Sequence, residues 1–322
     1  MGTSDRIGLT VITPAFNESL YLPLFYEALK EVAAKENYDW EWIAIDDHSR
    51  DNTFEILSDL AKKDPRVKGF RLARNSGSHS AIMCGIEIAS GDVVAVMASD
   101  MQDPPEFLPN LIAEWKAGSH VVWAVRAKRY GEKFTNVLFA RLYYWIVRHF
   151  DGLQEMPPTG ADFYIMDRRV AEALKQYQER SISLFLLVCS MGFKQSRIFY
   201  DKQARAHGQT GWSFSKKVKL ISDSMIPFTS YPLRAMIWIG ILFIVVGKLA
   251  ALGALCGACP ECAGPSSPWP AAIFVSGVMS VVGGILMIMC GMIGTLLWRV
   301  LDETRMRPRY LIEASTMPEK KA

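Results

Sequence analysis

Two long, largely apolar stretches, residues 235–256 and 271–298, sit near the end of this chain of 322 residues. A helix needs roughly 20 apolar residues to cross a bilayer, so each stretch is long enough, and the second carries no charged side chain. Residues 1–214 ahead of them mix polar and apolar positions as a water-soluble domain does. A folded head on a two-helix stem predicts one substrate drawn from water and one from the membrane.

Charge placement sets the expected orientation. Lys216, Lys217, Lys219 and Arg234 precede the first stretch, and Arg299, Arg305, Arg307 and Arg309 follow the second. The loop between them, 257–270, holds Glu261 as its one charge. Basic residues stay on the cytoplasmic side, so the head and both termini are expected there, on the inner membrane. The net charge of +3 is too small to argue for a nucleic-acid partner. No charged leader followed by an apolar run and a cleavage site opens the chain, so no signal peptide is expected. Cys84 and Cys189 read as reduced core thiols, and Cys256, Cys259 and Cys262 as a disulfide or unpaired thiols rather than a metal site lacking its fourth ligand.

Short apolar runs at 9–13, 40–45, 67–71, 93–97 and 120–125 alternate with helical patterns at 21–35, 54–63, 80–89 and 106–117. That alternation predicts βαβ units and a mostly parallel sheet with helices on both faces. In such sheets ligands bind beyond the carboxyl ends of the strands, so the residues that follow each strand carry the information. The aromatic run 134–150 reads equally as an interfacial helix or as a core helix. Lys248 within the first stretch reads as snorkelling or pairing with a second copy, with contact to a lipid headgroup as the alternative.

After the first run, Thr13-Pro14-Ala15-Phe16-Asn17-Glu18 places a turn at Pro14 and polar groups at Asn17 and Glu18. After the second come Asp46, Asp47, His48, Ser49, Arg50 and Asp51. Asp46 and Asp47 suit the base and ribose of a nucleoside, while Asp51 and Thr53 suffice to cap the next helix. Arg74-Asn75-Ser76-Gly77-Ser78-His79 offers backbone N–H groups near Gly77 to an anion. After the fourth run, Asp100 and Gln102 lie two residues apart, on one side of an extended segment, and suit a hard cation completed by water and diphosphate oxygens.

In this order the pieces resemble the family 2 glycosyltransferases of GT-A fold, above all the branch that glycosylates polyprenyl phosphates. TPAFNE, DDHSRD, RNSGSHSA, ASDMQDPPE, GADFYIMDR, RAHGQTGW and RPRYLIE follow that branch's segments in sequence. The resemblance implies a GT-A head over 1–214, a juxtamembrane segment 215–234, two transmembrane helices within 235–298 and a cytoplasmic tail 299–322. It also implies a nucleotide-sugar donor, leaning to uridine, a polyprenyl phosphate acceptor, Mg²⁺ or Mn²⁺ on Asp100 and Gln102, and an essential acid at Asp162. One position departs from it: Ala98 stands where the branch's metal motif begins with an aspartate, which implies a weaker cation site.

A lipid phosphate is largely dianionic at neutral pH, so it needs cations beside it more than a general base. Arg126, Arg129 and Arg205 are the expected cations, because guanidinium forks match phosphate oxygens in pairs. Two isolated helices also favour packing against copies of themselves, so a homo-oligomer is expected. Removing everything after Arg234 is expected to spare donor binding and cripple transfer to a long-chain acceptor. Alternatives are a processive polysaccharide synthase, whose Q-x-x-R-W motif is missing here, and a catalytically silent membrane adaptor.

Overall fold

The computed structural model describes residues 6–127, 163–177, 183–200, 238, 242, 269–305 and 308–317. The chain forms two compact units, Met1–Ser224 with Pro308–Ala322, and Met225–Arg307.

The first unit is built on an eight-stranded sheet. β1 (Gly8–Ala15), α1 (Leu22–Lys35), β2 (Asp39–Asp46), α2 (Thr53–Lys63), β3 (Val67–Leu72), α3 (Ser78–Ile88) and β4 (Val93–Val96) alternate as the apolar periodicity predicts. A 3-10 turn (Pro105–Phe107), α4 (Leu108–Lys116), β5 (Val121–Arg126), β6 (Phe163–Asp167), α5 (Arg168–Lys175), α6 (Leu184–Ser190) and β7 (Gln195–Tyr200) follow. The second unit contains α7 (Trp269–Thr304), and β8 (Ile312–Ser315) returns to the first.

The strand order is β7-β5-β6-β4-β1-β2-β3-β8. β1 to β4, β5 and β7 run one way, while β6 is antiparallel to β4 and β5, and β8 is antiparallel to β3. The sheet is therefore mixed and mostly parallel. Consecutive residues of β2, β4 and β5 are buried although neighbours point to opposite faces, so layers cover both faces. α1 shows why: Leu22, Phe25, Tyr26, Leu29, Val32 and Ala33 form one buried stripe at helical spacing. Phe25 packs on the fully buried Trp42, ring centroids 5.3 Å apart. α3 lies so close to β1 that a Cβ on Gly85 would meet Ile12 Cγ2 at 2.4 Å.

β8 corrects the expectation about truncation. The tail is an edge strand of the head: Phe70 pairs with Ser315 and Arg71 with Ala314. Gly69 N donates to Thr316 Oγ1 at 2.8 Å, and Thr316 N to Gly69 O at 2.9 Å. A cut after Arg234 removes this strand, so it cannot leave the head intact.

α7 contains the whole of 271–298 and is 36 residues long, about 54 Å at 1.5 Å per residue. Val275, Met279, Leu286, Ile293, Leu297 and Val300 are exposed along it, and the Arg305 guanidinium lies 5.7 Å from the centre of the Trp298 ring. Among the described residues no helix is long and apolar enough to cross a membrane. The stretch 235–256, apart from Trp238 and Leu242, lies outside the described residues, as do 134–150, Lys248, Cys256, Cys259 and Cys262. Cys84 and Cys189 are buried as expected, and burial pushes the Cys84 thiol up to about 12.

Candidate active site

β1 pairs with β2 on one side and β4 on the other, and β2 leads on to β3. The order thus reverses between β1 and β4, which is where open α/β sheets bind ligands. The loops after β1, β2, β3 and β4 gather at that carboxyl edge.

Pro14 lies inside β1, paired with Ile45, rather than in a turn. Met97 N donates to Ile12 O across the β4 side. Two residues on, Pro14 faces that same side, beyond the last β1–β4 pair, where its missing N–H costs nothing. The turn comes at Asn17, in left-handed conformation with φ 57°. Asn17 Oδ1 accepts from Arg50 N at 2.9 Å, Asn17 N donates to Ser49 Oγ at 2.9 Å, and Glu18 N donates to Thr53 Oγ1 at 3.0 Å. Asn17 and the Glu18 backbone therefore sew the first loop to the second, where the sequence suggested ligand contacts. Asp51 does not cap α2: its N-cap is Asn52, with no side-chain bond. Asp51 Oδ1 accepts from the Thr53 amide and hydroxyl instead, and Oδ2 from Ser19 N, because a short acid readily bonds its own chain two residues on.

The adjacent acids of β2 part company. Asp47 spans to the next loop: Oδ1 accepts from Ser76 N at 2.6 Å and Oδ2 from Gly77 N at 2.8 Å. Burial raises its carboxyl above the usual range, the two amides pull it back, and neighbouring Asp46 adds to the rise. Gly77 has φ 87° with open space where a Cβ would sit, so the turn before α3 requires it for conformation. Asp46 is fully buried; Oδ1 accepts from Ser49 N at 2.9 Å, while Oδ2 has no hydrogen-bond partner. The guanidinium of Arg71 stands 3.7 Å from that oxygen. Buried polar atoms are nearly always partnered, so a donor is missing at this point.

After β4, Met97, Ser99 and Asp100 are buried, and the Ser99 hydroxyl is also without a partner. The segment turns rather than extends: Met101 has φ 58°, and Asp100 Oδ1 accepts from Gln102 N at 3.2 Å. The same-side argument for Asp100 and Gln102 therefore fails, since it presumed a period of two. Asp103 is buried and accepts from the Tyr200 hydroxyl of β7, so it braces the loop. Among the described residues no three His, Cys, Asp or Glu side chains could hold a metal together. The donor set fits a cation held mainly by diphosphate oxygens and water, which needs only one or two protein carboxylates; it does not fit a cage made by the protein.

Arg126 ends β5 at this edge, paired with Tyr200. Phe163 opens the antiparallel β6 opposite Ala124, also at the carboxyl edge. Asp162, Arg129 and Arg205 lie outside the described residues. Sequence reading passed over Ser49, Arg71 and Ser99. Arg71, at the end of a strand and at the level of Asp46, is the one whose position could have signalled a role.

The chain belongs to glycosyl transferase family 2, whose model matches residues 10–174, and it is a glycosyltransferase. Among relatives, an uncharacterized glycosyltransferase, YkcC, of Bacillus subtilis (strain 168) is 32% identical over 97% of this chain and 95% of that protein. The bactoprenol glucosyl transferase of Shigella phage SfX is 29% identical over 95% of this chain and 99% of its own length. Among solved structures, glucosyl-3-phosphoglycerate synthase from Mycobacterium tuberculosis, in complex with Mn²⁺, UDP-glucose and phosphoglyceric acid, superposes with a TM-score of 0.48 at 15% identity. That likeness covers 67% of this chain and 79% of that one.

Proposed function

We propose that the protein transfers a sugar, with inversion, from a nucleotide sugar, UDP-linked, to the phosphate of a membrane polyprenyl phosphate. The observation that carries this reading is the extent of the likeness to bactoprenol glucosyl transferases: it runs over 95% of the chain, beyond the head and into the apolar helix and tail. In this reading 235–256 and α7 are the membrane stem, and the exposed apolar side chains of α7 face lipid or a second copy.

Asp46 receives the nucleoside through the oxygen that lacks a partner, and Asp47 shapes the same site by fastening the loop after β3 to β2. Asp100 would hold Mg²⁺ or Mn²⁺, and such a cation would supply charge neutralisation to the leaving group. Gln102 contributes through the turn it closes onto Asp100. Arg126, Arg129 and Arg205 hold the acceptor phosphate beside an equally anionic donor, and Asp162 orients the sugar or an arginine. A phosphate oxygen forms its bond to the anomeric carbon as the bond to the diphosphate breaks. The electron pair leaves with the nucleoside diphosphate, so an α-linked donor gives a β-linked lipid sugar.

The test is a transfer assay with full-length protein, labelled UDP-glucose, Mg²⁺ or Mn²⁺, and undecaprenyl phosphate. Labelled lipid-phosphate sugar that requires the acceptor is the expected product. Donor hydrolysis at the same rate without the lipid, or a water-soluble labelled polymer, would contradict the proposal.

A further inference from the structure

We propose that Glu313, in the tail strand β8, is a positioning residue for the donor site, so that the segment following the apolar helix helps set nucleotide affinity. The inference rests on reading Asp46 as a donor contact. Its basis is a relay of four side chains that come together only in the folded chain. Glu313 Oε2 accepts from Arg71 Nε at 3.2 Å and lies 3.5 Å from His48 Nδ1. Arg71 then donates through Nη2 to the Ser49 carbonyl at 3.2 Å and holds Nη1 3.7 Å from Asp46 Oδ2. Glu313 touches no part of the expected nucleotide. It fixes the fork that neutralises Asp46 and tethers the loop after β2.

Arg71 can swing its fork fully onto Asp46 once Glu313 releases it, since 3.7 Å is just outside hydrogen-bond reach. That motion would fill the partnerless oxygen from within the protein and compete with the ligand. Glu313 is half exposed, and its pairing with Arg71 contributes little to stability. The tail is anchored independently of it, by Thr316 on Gly69, by Leu311 O accepting from Ala73 N at 2.8 Å, and by the Tyr310 hydroxyl on Glu87. Changing Glu313 should therefore alter the relay and leave β8 docked.

The experiment titrates UDP and, separately, GDP, each with Mn²⁺, into full-length wild type, Glu313→Ala and Glu313→Asp, alongside melting temperatures and steady-state kinetics. Glu313→Ala should weaken nucleotide binding about tenfold, equivalent to 1.4 kcal/mol, and raise the donor KM to match. The acceptor KM, kcat and melting temperature should stay near wild type, and Glu313→Asp should recover most of the affinity. Unchanged affinity in Glu313→Ala overturns the inference. So does a loss in which melting temperature, kcat and acceptor KM fall together, because that describes a merely structural strand. A wild type that binds neither nucleotide overturns the donor-site reading itself, an outcome distinct from both.

Discussion

Glu41 and Asp46 stand near opposite ends of β2, and both carboxylates are buried, yet their surroundings differ. Glu41 Oε1 accepts from the Thr10 hydroxyl at 2.6 Å and from both the amide and hydroxyl of Ser90 at 2.8 Å, and Oε2 accepts from Lys68. Burial alone would raise this carboxyl, but hydrogen bonds from Lys68, Thr10 and Ser90 outweigh it and hold it below its ordinary value. Asp46 has one oxygen bonded and one bare. A satisfied buried acid stabilises the sheet, whereas an unsatisfied one is retained at a cost and points to a ligand. The amino end of β2 is thus fully satisfied by the protein itself, and its carboxyl end is the one left open for the proposed donor.

Four changes sharpen or break that comparison. The largest effect is expected from Asp100→Ala at the carboxyl edge: transfer should fall about a hundredfold or more, with little change in melting temperature. Mn²⁺-independent turnover equal to wild type would remove Asp100 from the cation site. Glu41→Ala, at the amino end, should cost about 3 kcal/mol of stability, because it strands Lys68, Thr10 and Ser90. In that variant, nucleotide affinity measured at low temperature should be unchanged. A coupled loss of affinity would erase the distinction between the two ends. Asp46→Asn should do the reverse, weakening nucleotide binding about tenfold while chemical denaturation shows equal or greater stability.

The smallest effect concerns acid. Asp64 accepts from the Arg66 side chain and amide and from the Tyr26 hydroxyl, and the Arg66 pairing above all holds its carboxyl down to about 2. A depressed carboxyl stabilises the fold above its unfolded value and loses that stabilisation as pH falls through its folded value. Stability should therefore decline between about pH 4 and pH 2, by about 1 kcal/mol given the half-exposed Arg66. Asp64→Asn should flatten that portion of the stability profile. It should leave nucleotide binding untouched, since Asp64 follows α2 on the chain and shares no contact with Asp46.

Most of the first half of the sheet was legible because each strand is a short apolar run and each helix a stripe. β6 and β7 were harder. β6 is antiparallel and sits between β4 and β5, an insertion that alternation of strands and helices does not foretell. β8 is four residues long and pairs with a strand some 240 residues earlier, as the separation of 242 between Arg71 and Glu313 shows. No local pattern encodes so distant a partner. In the candidate site, residue type drew attention to acids at the strand ends but not to how each is held. Asp47 and Asn17 are polar residues at strand ends, as Asp46 is, yet their side chains are taken up in fastening loops. That allocation depends on left-handed turns at Asn17, His48 and Met101, which residue type alone did not reveal.

The most direct test of the division along β2 is amide hydrogen exchange on the full-length protein, with and without Mn²⁺ and UDP or GDP. The account predicts protection over 15–20, 46–51 and 97–103, the loops after β1, β2 and β4, with exchange at 39–42 and 89–92 unchanged. Protection centred on the Glu41 end, or none at the Asp46 end with either nucleotide, would contradict it.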